Sequence, residues 1–376
     1  MKEGWKKYNL MDICNVTTGK HDANHAAKDG KYRFYTCSSQ YVYCNTKRYE
    51  GECIILPGNG VNVGESYYYN GEFDVYQRTY VIDKIDKGII PMFLYYHLQN
   101  NWKSEGVAKQ YGSATNYIKI GNFKDYIVKA PQTLSEQQSI VDYLDSSFAK
   151  IDAMKANAEK ALNEAKALFQ ASLKEMLEPK EGWEEKTIGD VCEIIRGKRF
   201  VRADIVEDGV PCIHYGDIYT HYGLSVTKTR GCVKPELAKK LRFANKNDVV
   251  VVQAGENNWD IGVGVAYFGE EPAVVHDACF ILRHKQDPMY ISYYLRSYNY
   301  HKYLVDYVHE GKICSFLKPA LENAPFPLPP LSEQQSIVAT LDSLKSKVDR
   351  LQENYDKISQ ECDALKQAVL RQVFNE

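Results

Sequence analysis

The sequence predicts a mixed α/β (α+β) fold. Two mixed α/β domains with barrel-like sheets are separated by two long antiparallel coiled-coil helices, and the whole forms a pseudo-twofold tandem repeat. Two observations predict it. Two groups of residues recur at fixed offsets along the 376-residue chain, and the second group opens a long heptad pattern of apolar residues. A chain of this length is expected to hold two or more domains of roughly 100–200 residues each.

The first repeat marks the start of each half, where five residues recur 178 positions later without a gap. The pairs are Gly4 and Gly182, Trp5 and Trp183, Cys14 and Cys192, Gly19 and Gly197, and Lys20 and Lys198. In the second repeat, residues 134–141 (LSEQQSIV) reappear letter for letter as residues 331–338. The chain therefore reads block, helix, block, helix. Its predicted domains are 1–130, 131–178, 179–328 and 329–376, and the second block has 19 additional residues.

Both helices are expected to begin with a capping box, formed by Ser135 with Gln138 and by Ser332 with Gln335. Apolar residues then follow at steps of three and four, a heptad seam that favours a coiled coil. The first seam is predicted at Leu144, Phe148, Ile151, Met154, Ala158, Ala161, Ala165 and Leu168. The second is predicted at Ile337, Leu341, Leu344, Val348, Leu351, Tyr355, Ile358, Cys362, Leu365 and Val369. Each apolar face must be buried against another element, so the two helices should pack together. The alternative is an ordinary helical hairpin inside a globular enzyme.

The blocks differ from the helices in composition. They hold 27 of the 29 tyrosines, and tyrosine is enriched in strands. Residues 52–58 and 248–255 are short apolar runs that end in turns, which predicts strands. Short helices are expected near residues 92–99 and 290–297.

Charge and cysteine content exclude some classes of protein. The net charge of −2 argues against a self-sufficient nucleic-acid binder, although residues 1–129 carry 17 basic against 13 acidic residues. The ten cysteines are scattered without a C-x-x-C pair, so we expect reduced, mostly buried thiols. No stretch approaches the roughly 20 apolar residues of a membrane helix. We therefore expect a cytoplasmic protein that does not bind membranes.

The arrangement of motifs resembles a known family. Two blocks that open on Gly-Trp and close on a proline-containing turn into LSEQQSIV look like the specificity subunits of type I restriction-modification systems. The run PLPPLSEQQ at residues 327–335 carries the resemblance most specifically, whereas the first copy departs from it and reads APQT at residues 130–133. The resemblance covers essentially the whole chain. It identifies the blocks as target-recognition domains and the helices as the conserved helical regions.

This resemblance implies a non-catalytic, sequence-specific DNA-binding subunit without a cofactor. Each recognition domain would read one half of a bipartite site in double-stranded DNA, and the helices would fix the unread spacer. Two modification (methyltransferase) subunits would dock on the helices of one chain, and restriction/translocase subunits would complete the complex. The residues expected to bind partners lie at the helix starts: Glu136, Gln137, Gln138, Glu333, Gln334 and Gln335.

DNA contacts are expected from polar and basic side chains on loops, because these read base edges or bind phosphates. In the first block the candidates are Lys20, Arg33, Tyr35, Ser38, Ser39, Gln40, Lys47, Arg48, Lys109, Tyr111, Ser113 and Asn116. In the second block they are Lys198, Arg199, Arg202, His214, Tyr215, Gln253, Asn257, Asn258 and Lys312. Gly19 and Gly197 would permit close approach of the backbone to DNA, and a simple turn is the alternative.

Two other functions stay open at this point. The first is a stand-alone nuclease-like enzyme, because Glu184 and Lys186 have nuclease-like spacing, although no acidic strand partner precedes them. The sequence lacks a G-x-x-x-x-G-K-[ST] phosphate loop and the Asn-Pro-Pro-aromatic run of an amino-methyltransferase. His214 and His276 have no companion at metal-ligand spacing, so no metal site is predicted. The second alternative is a protein-interaction scaffold that never binds DNA.

Overall fold

Apolar runs bounded by turn residues become strands in both halves of the chain, and the mixed α/β class is confirmed. The structure is a computed structural model that describes residues 4–107, 111, 116–309, 311 and 313–375. The chain divides into two units. The first joins Met1–Glu159 to Asn354–Glu376, and the second is Lys160–Glu353. Each unit therefore contains one block and a section of each long helix.

The first unit contains nine described strands and its own section of the first long helix. The strands are β1 (Trp5–Asn9), β2 (Asn15–Thr18), β3 (Tyr32–Tyr35), β4 (Val42–Cys44), β5 (Glu52–Pro57), β6 (Tyr67–Asn70), β7 (Phe73–Val75), β8 (Thr79–Asp83) and β9 (Ile127–Pro131). The helices are α1 (Leu10–Ile13), α2 (Pro91–Asn101), α3 (Ile120–Lys124) and α4 (Leu134–Leu177), which continues into the second unit. The strand expected at residues 52–58 and the helix expected near 92–99 are confirmed.

Two sheets build the first block. β2, β8, β5 and β6 form an antiparallel sheet, while β4, β3 and β7 form a second sheet in which β3 and β7 run parallel. Ile54 and Leu56 of β5 share a core with Phe93 and Leu94 of α2. A ribbon of β1 and β9 leads directly into α4.

The second unit contains more strands and short helices. Its strands are β10 (Glu184–Thr187), β11 (Cys192–Arg196), β12 (Ile205–Val206), β13 (Val210–Ile213), β14 (Ser225–Val226), β15 (Gly231–Val233), β16 (Phe243–Ala244), β17 (Val249–Val252), β18 (Ala254–Gly255), β19 (Gly264–Tyr267), β20 (Ala273–Val275), β21 (Cys279–His284), β22 (Cys314–Ser315) and β23 (Pro325–Leu328). Its helices are α5 (Ile188–Val191), α6 (Tyr215–Thr220), α7 (Pro235–Ala238), α8 (Pro288–Tyr294), α9 (Tyr298–Val305), α10 (Lys318–Glu322) and α11 (Leu331–Asn375), which continues into the first unit.

The second block repeats the connectivity of the first. The order β11-β21-β17-β19 matches β2-β8-β5-β6, and β15-β13-β20 matches β4-β3-β7, with β13 and β20 again parallel. The ribbon of β10 and β23 leads into α11. The extra length of the second block lies mostly between β13 and β17, which are joined by α6, β14, β15, α7 and β16. Among the described residues each sheet keeps two edge strands, so the sheets are open and none closes into a barrel.

The start of α4 differs from the predicted capping box. The helix begins at Leu134, and Thr133 caps it: the Thr133 hydroxyl accepts the backbone N–H of Glu136 (3.3 Å) and donates to its carboxylate (2.7 Å). Ser135 lies inside the first turn, and Gln138 donates to Asp142 (2.8 Å) instead of reaching back. The prediction is wrong because the helix starts at Leu134, two residues before the start that a Ser135 cap would give.

α11 also begins two residues early, at Leu331. The carbonyl oxygen of Pro330 accepts the backbone N–H groups of Glu333 (2.9 Å) and Gln334 (3.0 Å). The predicted box of Ser332 and Gln335 is therefore wrong as well, since Ser332 already lies within the helix.

The helices keep a heptad seam, but its register differs from the prediction at several positions. Met154 (53% exposed), Leu168 (60%) and Ala161 face outwards in α4, and Leu365 (43%) does so in α11, where Lys366 takes its place. The other residues predicted for the α11 seam are buried or half-buried. The observed α4 seam is Val141, Leu144, Phe148, Ile151, Lys155, Ala158, Leu162, Ala165, Phe169, Leu173 and Met176. A lysine stem thus covers apolar surface on each helix.

The two helices contact each other within each unit. Their polar contacts include Lys155–Asp363 (3.7 Å) and Lys366–Asp152 (2.5 Å) in the first unit and Lys166–Gln352 (2.8 Å) in the second. In the first unit the numbering rises along α4 as it falls along α11, so these sections are antiparallel, as predicted. Exposed ion pairs contribute little to stability, and the buried seam therefore provides most of the attraction.

The repeated LSEQQ motif has a structural reason at its first glutamine. Gln137 and Gln334 are fully buried. The Gln137 side-chain oxygen accepts the N–H of Ile90 (2.9 Å), and its amide donates to the carbonyls of Gly88 and Pro131 (3.0 Å each). Gln334 makes matching contacts with Asp287 N–H (3.0 Å), the Pro329 carbonyl (2.9 Å) and Gln286 Oε1 (2.9 Å). These amides tie each helix to its block, which contradicts the prediction that Gln137 and Gln334 bind a partner.

The first unit buries an imidazole, that of His97 on α2. Its Nε2 accepts the N–H of Lys129 (3.2 Å), and its Nδ1 lies 3.2 Å from the Tyr126 hydroxyl. Burial, reinforced by the Lys129 charge, lowers the pKa of His97 to about 3. The unfolded chain, with a histidine pKa near 6.5, therefore takes up a proton at higher pH than the folded chain does. The first unit should lose stability as the pH falls from about 6.5 towards 3, by about 2 kcal/mol at pH 5.

Urea unfolding of the chain and of His97→Gln at pH 7.5 and pH 5 measures this effect. Glutamine can accept the Lys129 N–H but does not titrate, so the free energy of unfolding should fall by about 2 kcal/mol less in the variant. An equal fall in the two proteins would show that His97 is not the group responsible.

Candidate nucleic-acid interface

Loops at one end of the sheets in the second unit surround an open cleft. They follow β11, β13 and β17 and precede β21. Five of the predicted DNA-binding residues line it: Arg199, Arg202, His214, Tyr215 and Gln253. Lys198 is exposed beside Arg199 in the same loop. Strand pairing thus brings together residues that are far apart in the sequence.

Two histidines form the aromatic wall of this cleft. The rings of His214 and His276 lie 4.7 Å apart, and Phe200 packs edge-on against His276 at 5.1 Å. Burial lowers the pKa of both histidines. Each ring uses Nδ1 to accept a backbone N–H, from Gly216 (3.3 Å) and Ala278 (3.0 Å) respectively. The cleft therefore has neutral aromatic walls, and the exposed guanidinium groups of its arginines supply positive charge at the rim.

Gln253 does not have the role predicted for it. Its side chain is buried; its amide donates to the Phe316 carbonyl (2.8 Å), and its oxygen lies 3.4 Å from Arg196. The residue holds the cleft together, and its hydrogen bonds are made within the chain. Asn257 likewise accepts the N–H of Trp259 (3.0 Å) and shapes its own loop. Asn258 lies between them in that loop.

The equivalent end of the first unit also gathers several loops. The Cys37 thiol lies 3.4 Å from the Arg78 carbonyl, and the Asn62 amide donates to the Cys37 carbonyl (2.8 Å). The Asn116 carbonyl accepts the N–H of Gly60 (2.9 Å). The predicted residues exposed at this end are Lys20, Ser38, Ser39, Gln40 and Asn116. The two blocks therefore present the same set of loops.

Arg33 is stacked between aromatic rings of its own block. Its guanidinium lies 4.3 Å from the ring centre of Tyr41 and 4.4 Å from that of Tyr69, and it donates to the Tyr35 hydroxyl (3.3 Å). Such cation–π contacts stabilise the arginine in place. Tyr35 is buried in a core that residues of both sheets form, which contradicts its predicted contact with DNA.

Other predicted residues lie elsewhere. Lys47 pairs with Glu72, and the N–H of Arg48 donates to the Phe73 carbonyl (3.0 Å) at the start of β7, whereas the clustered loops adjoin the end of that strand. The structure therefore does not bring these two residues to the candidate interface. Tyr111 is exposed, with its ring 4.4 Å from Lys119. Lys109, Ser113 and Lys312 lie outside the described residues.

Gly19 and Gly197 do have close neighbours, but these belong to the chain itself. A Cβ on Gly19 would lie 1.9 Å from the Val75 carbonyl oxygen, and one on Gly197 would lie 2.0 Å from that of His276. The glycines are needed because the strand end passes directly over the loop. The approach to DNA that we predicted for them is replaced by this internal contact, and the neighbouring Lys20 and Lys198 stay exposed.

Several residues at this end were missed in the sequence. Val61 and Trp259 are large apolar residues that stand exposed in the corresponding loops after β5 and β17. The available signal was an apolar residue within a polar run, as in NGVN and NNWD. Arg196 and His276 were also absent from the predicted set. Their place in the cleft depends on the pairing of β11 with β21.

Among the described residues, one cluster has the side-chain types of a metal site: His21, His25 and Asp74. Its groups are already engaged, because Thr46 Oγ1 bonds to both His25 and Asp74 (2.7 Å each) and Val75 N–H donates to Asp74 (2.8 Å). The two imidazoles stack in parallel with centroids 3.7 Å apart. Lone pairs lie in the ring planes, and parallel planes do not converge on one ion. The cluster does not fit a tetrahedral metal site.

The remaining predicted partner-binding residues lie near the starts of the two long helices. Glu136, Gln138 and Gln335 are exposed, and Glu333 is half-buried. They leave a polar surface beside the buried glutamines. In the part of the chain that the structure describes, no helix combines the length and apolar character needed to cross a bilayer.

A duplicated two-sheet block, with exposed polar loops at one end and a long helix at its close, defines a tandem recognition protein. A family model described as "Type I restriction modification DNA specificity domain" matches residues 2–164 and 180–360. The chain belongs to this type I restriction-modification DNA specificity family.

Two curated relatives are named as specificity subunits of type I restriction enzymes. The chain is 36% identical over 169 residues to the type I restriction enzyme EcoDI specificity subunit of Escherichia coli, a match that spans 45% of this chain and 37% of that subunit. It is 22% identical to the MjaVIII specificity subunit of Methanocaldococcus jannaschii, across 92% of this chain and 87% of the relative. The stronger match in identity thus concerns about half of the chain.

Solved structures share the fold. A chain from a study of complex assembly and conformational transition of the type I R-M system has a TM-score of 0.74 at 18% identity and covers 100% of this chain and 98% of its own. The HsdS subunit from Thermoanaerobacter tengcongensis has a TM-score of 0.58 at 19% identity, with coverage of 100% and 97%. The predicted family is confirmed, and with it the mixed α/β fold with long helices.

Proposed function

We propose that this chain is the non-catalytic DNA-reading subunit of a type I restriction-modification complex, in which each block reads one half of a split site. The observation that carries this proposal is the duplicated end of the blocks. The same loops converge in both, with arginines and polar side chains exposed in the second block and Lys20 and residues 38–40 exposed in the first. Base reading requires such side chains on loops that can enter a groove.

We assign residues 1–130 and 179–328 as the two target-recognition domains and the long helices as the spacer between half-sites. α4 has 44 residues and α11 has 45, which at 1.5 Å per residue is about 65 Å each. The exposed residues near the starts of both helices give two equivalent docking places, one for each of two modification subunits. Those subunits would supply the methylation chemistry, restriction/translocase subunits would join the same complex, and the assembly would act in the cytoplasm.

The cleft of the second block gives the first test. Replacing Arg199 and Arg202 by alanine in the complex with its modification subunits should weaken binding to the specific duplex by roughly 5- to 150-fold, given about 1–3 kcal/mol for a base contact. Each phosphate contact that is lost should also lower the slope of log K against log salt by about one. Titrations of a labelled duplex at several salt concentrations measure both quantities.

A matched control uses basic residues at the opposite end of the same sheet. Lys246 precedes β17 and pairs with Glu270 (2.7 Å), and Lys285 follows β21; both are exposed. The variant Lys246→Ala/Lys285→Ala should bind as the parent does. Equal weakening in the two double variants would mean that the cleft has no special role.

A further inference from the structure

Each block exposes one large apolar side chain at the tip of the same hairpin. Val61 lies between β5 and β6 and is 99% exposed, and Trp259 lies between β17 and β19 and is 80% exposed. The two hairpins occupy equivalent positions in their sheets. A fully hydrated valine or indole forgoes the stabilisation that burial would give, yet the feature occurs in both halves of the molecule.

The hairpin in the first block is anchored on both sides of its tip. Val63 is buried, the Asn62 amide donates to the Cys37 carbonyl (2.8 Å), and Gly60 N–H donates to the Asn116 carbonyl (2.9 Å). These contacts fix the backbone while the side chain of Val61 faces solvent. The exposed side chain therefore lies on a turn whose backbone is held by hydrogen bonds.

The hairpin in the second block is anchored in the same manner. Ile261 is buried, the N–H of Gly262 donates to Val252 (2.8 Å), and Asn257 accepts the N–H of Trp259 (3.0 Å). At its base β18 pairs with β22, which corresponds to the bridge between Asn59 and Tyr117 in the first block. The two blocks thus contain the same anchored hairpin, and each hairpin carries an exposed apolar side chain.

Both tips adjoin the candidate interface. Residues 253–256, immediately before the Trp259 turn, line the cleft that contains Arg199 and Arg202. Gly58 and Asn59, immediately before the Val61 turn, lie with Gln77 and Arg78 around a depression in the first block. A ligand on either surface therefore lies close to the turn that carries an apolar tip.

We propose that Val61 and Trp259 contact bases of double-stranded DNA, one in each half-site. The inference rests on the proposed function. A phosphate attracts charge, whereas a base offers an aromatic face and, in thymine, a methyl group. An indole can stack on a base or wedge into a base step, and a valine can pack against a thymine methyl or a step. The tips are therefore specificity residues that add apolar contacts to the polar contacts of the cleft.

The test compares matched variants of the chain assembled with its modification subunits. Trp259→Ser should raise the Kd for the specific duplex by roughly 5- to 150-fold, the range that corresponds to loss of one base–aromatic stack, and Trp259→Phe should stay within about 3-fold of the parent because a ring remains. Val61→Ser should cause a smaller loss and Val61→Ile almost none. The slope of log K against log salt should not change, since no phosphate contact is removed.

Tyr298 provides the control for a change in exposed aromatic surface, because it is 62% exposed at the start of α9, next to Lys174 of α4. Tyr298→Ser should bind as the parent does. Equal affinity of the parent and both tip variants would overturn this inference and leave the proposed function standing. So would a loss accompanied by the lower salt slope expected for an arginine variant. A parent complex that binds no duplex would overturn the proposed function, and this inference with it.

Discussion

A chain with seven extra residues in each long helix is expected to recognise both original half-sites across a longer spacer. Seven residues make two helical turns and keep the heptad seam in phase while they add about 10 Å, the length of about three base pairs. The structure indicates where to insert them. Glu159 and Glu353 end the helix sections of their respective units, so insertion after both leaves the contacts within each unit unchanged.

Mapping the methylated sequence measures the outcome. The natural site should lose its methylation, and a site with the same two half-sequences and a gap about three base pairs longer should gain it. An insertion after Glu159 alone should prevent the two long helices from packing together, because the α4 seam would then be shifted by one heptad against α11. Methylation of the original site by the doubly extended chain would show that the helices do not set the spacer.

Replacing Gly197 by alanine should destabilise the second unit by at least about 3 kcal/mol. The added Cβ would lie 2.0 Å from the His276 carbonyl oxygen and 2.7 Å from that of Val275. Both atoms belong to the backbone at the end of β20, and neither can move without breaking strand pairs. Because the same strand end carries the cleft, the variant should also lose specific DNA binding. Urea unfolding and duplex titration check the two effects.

Gly223 supplies the matched control in the same unit, since a Cβ there has no atom within 4 Å. Gly223→Ala should unfold and bind as the parent does. The equivalent pair in the first unit is Gly19, with a carbonyl oxygen 1.9 Å from its Cβ position, and the open Gly121. A stable Gly197→Ala protein with normal binding would contradict the packing of this loop.

The repeat and the helices could be predicted because they depend on local sequence. Residues 134–141 are identical to residues 331–338 because both segments have the same structural role. The buried amides of Gln137 and Gln334 fasten each helix to its block. The register of the seam could not be read from the apolar residues alone. A pattern of apolar residues selects Met154, but helix geometry places Lys155 on the seam, where the lysine stem packs and its charge reaches Asp363.

The candidate site could be predicted only in part, because tertiary pairing decides which loops meet. Arg199, Arg202, His214 and Tyr215 were expected from their chemistry, and the structure places them around one cleft. The neighbouring sequence does not distinguish them from Gln253, whose side-chain amide donates to a backbone carbonyl 63 positions away.

The same limit applies in the first block. Tyr35 and Arg33 lie in a polar and aromatic run that indicates a reading loop, but β3 places Tyr35 in the core and Arg33 between two rings. The exposed tips show the converse. Val61 and Trp259 would ordinarily be assigned to a core, and only the anchored hairpins reveal that they face solvent.

The most direct test of the central claim is a genome-wide map of methylated bases in a host that expresses the modification subunits with and without this chain. We expect methylation at one split sequence, two fixed groups of bases with an unread gap of constant length, and its loss when the chain is omitted. Methylation that persists without the chain, or that falls on a continuous sequence with no gap, would contradict the account.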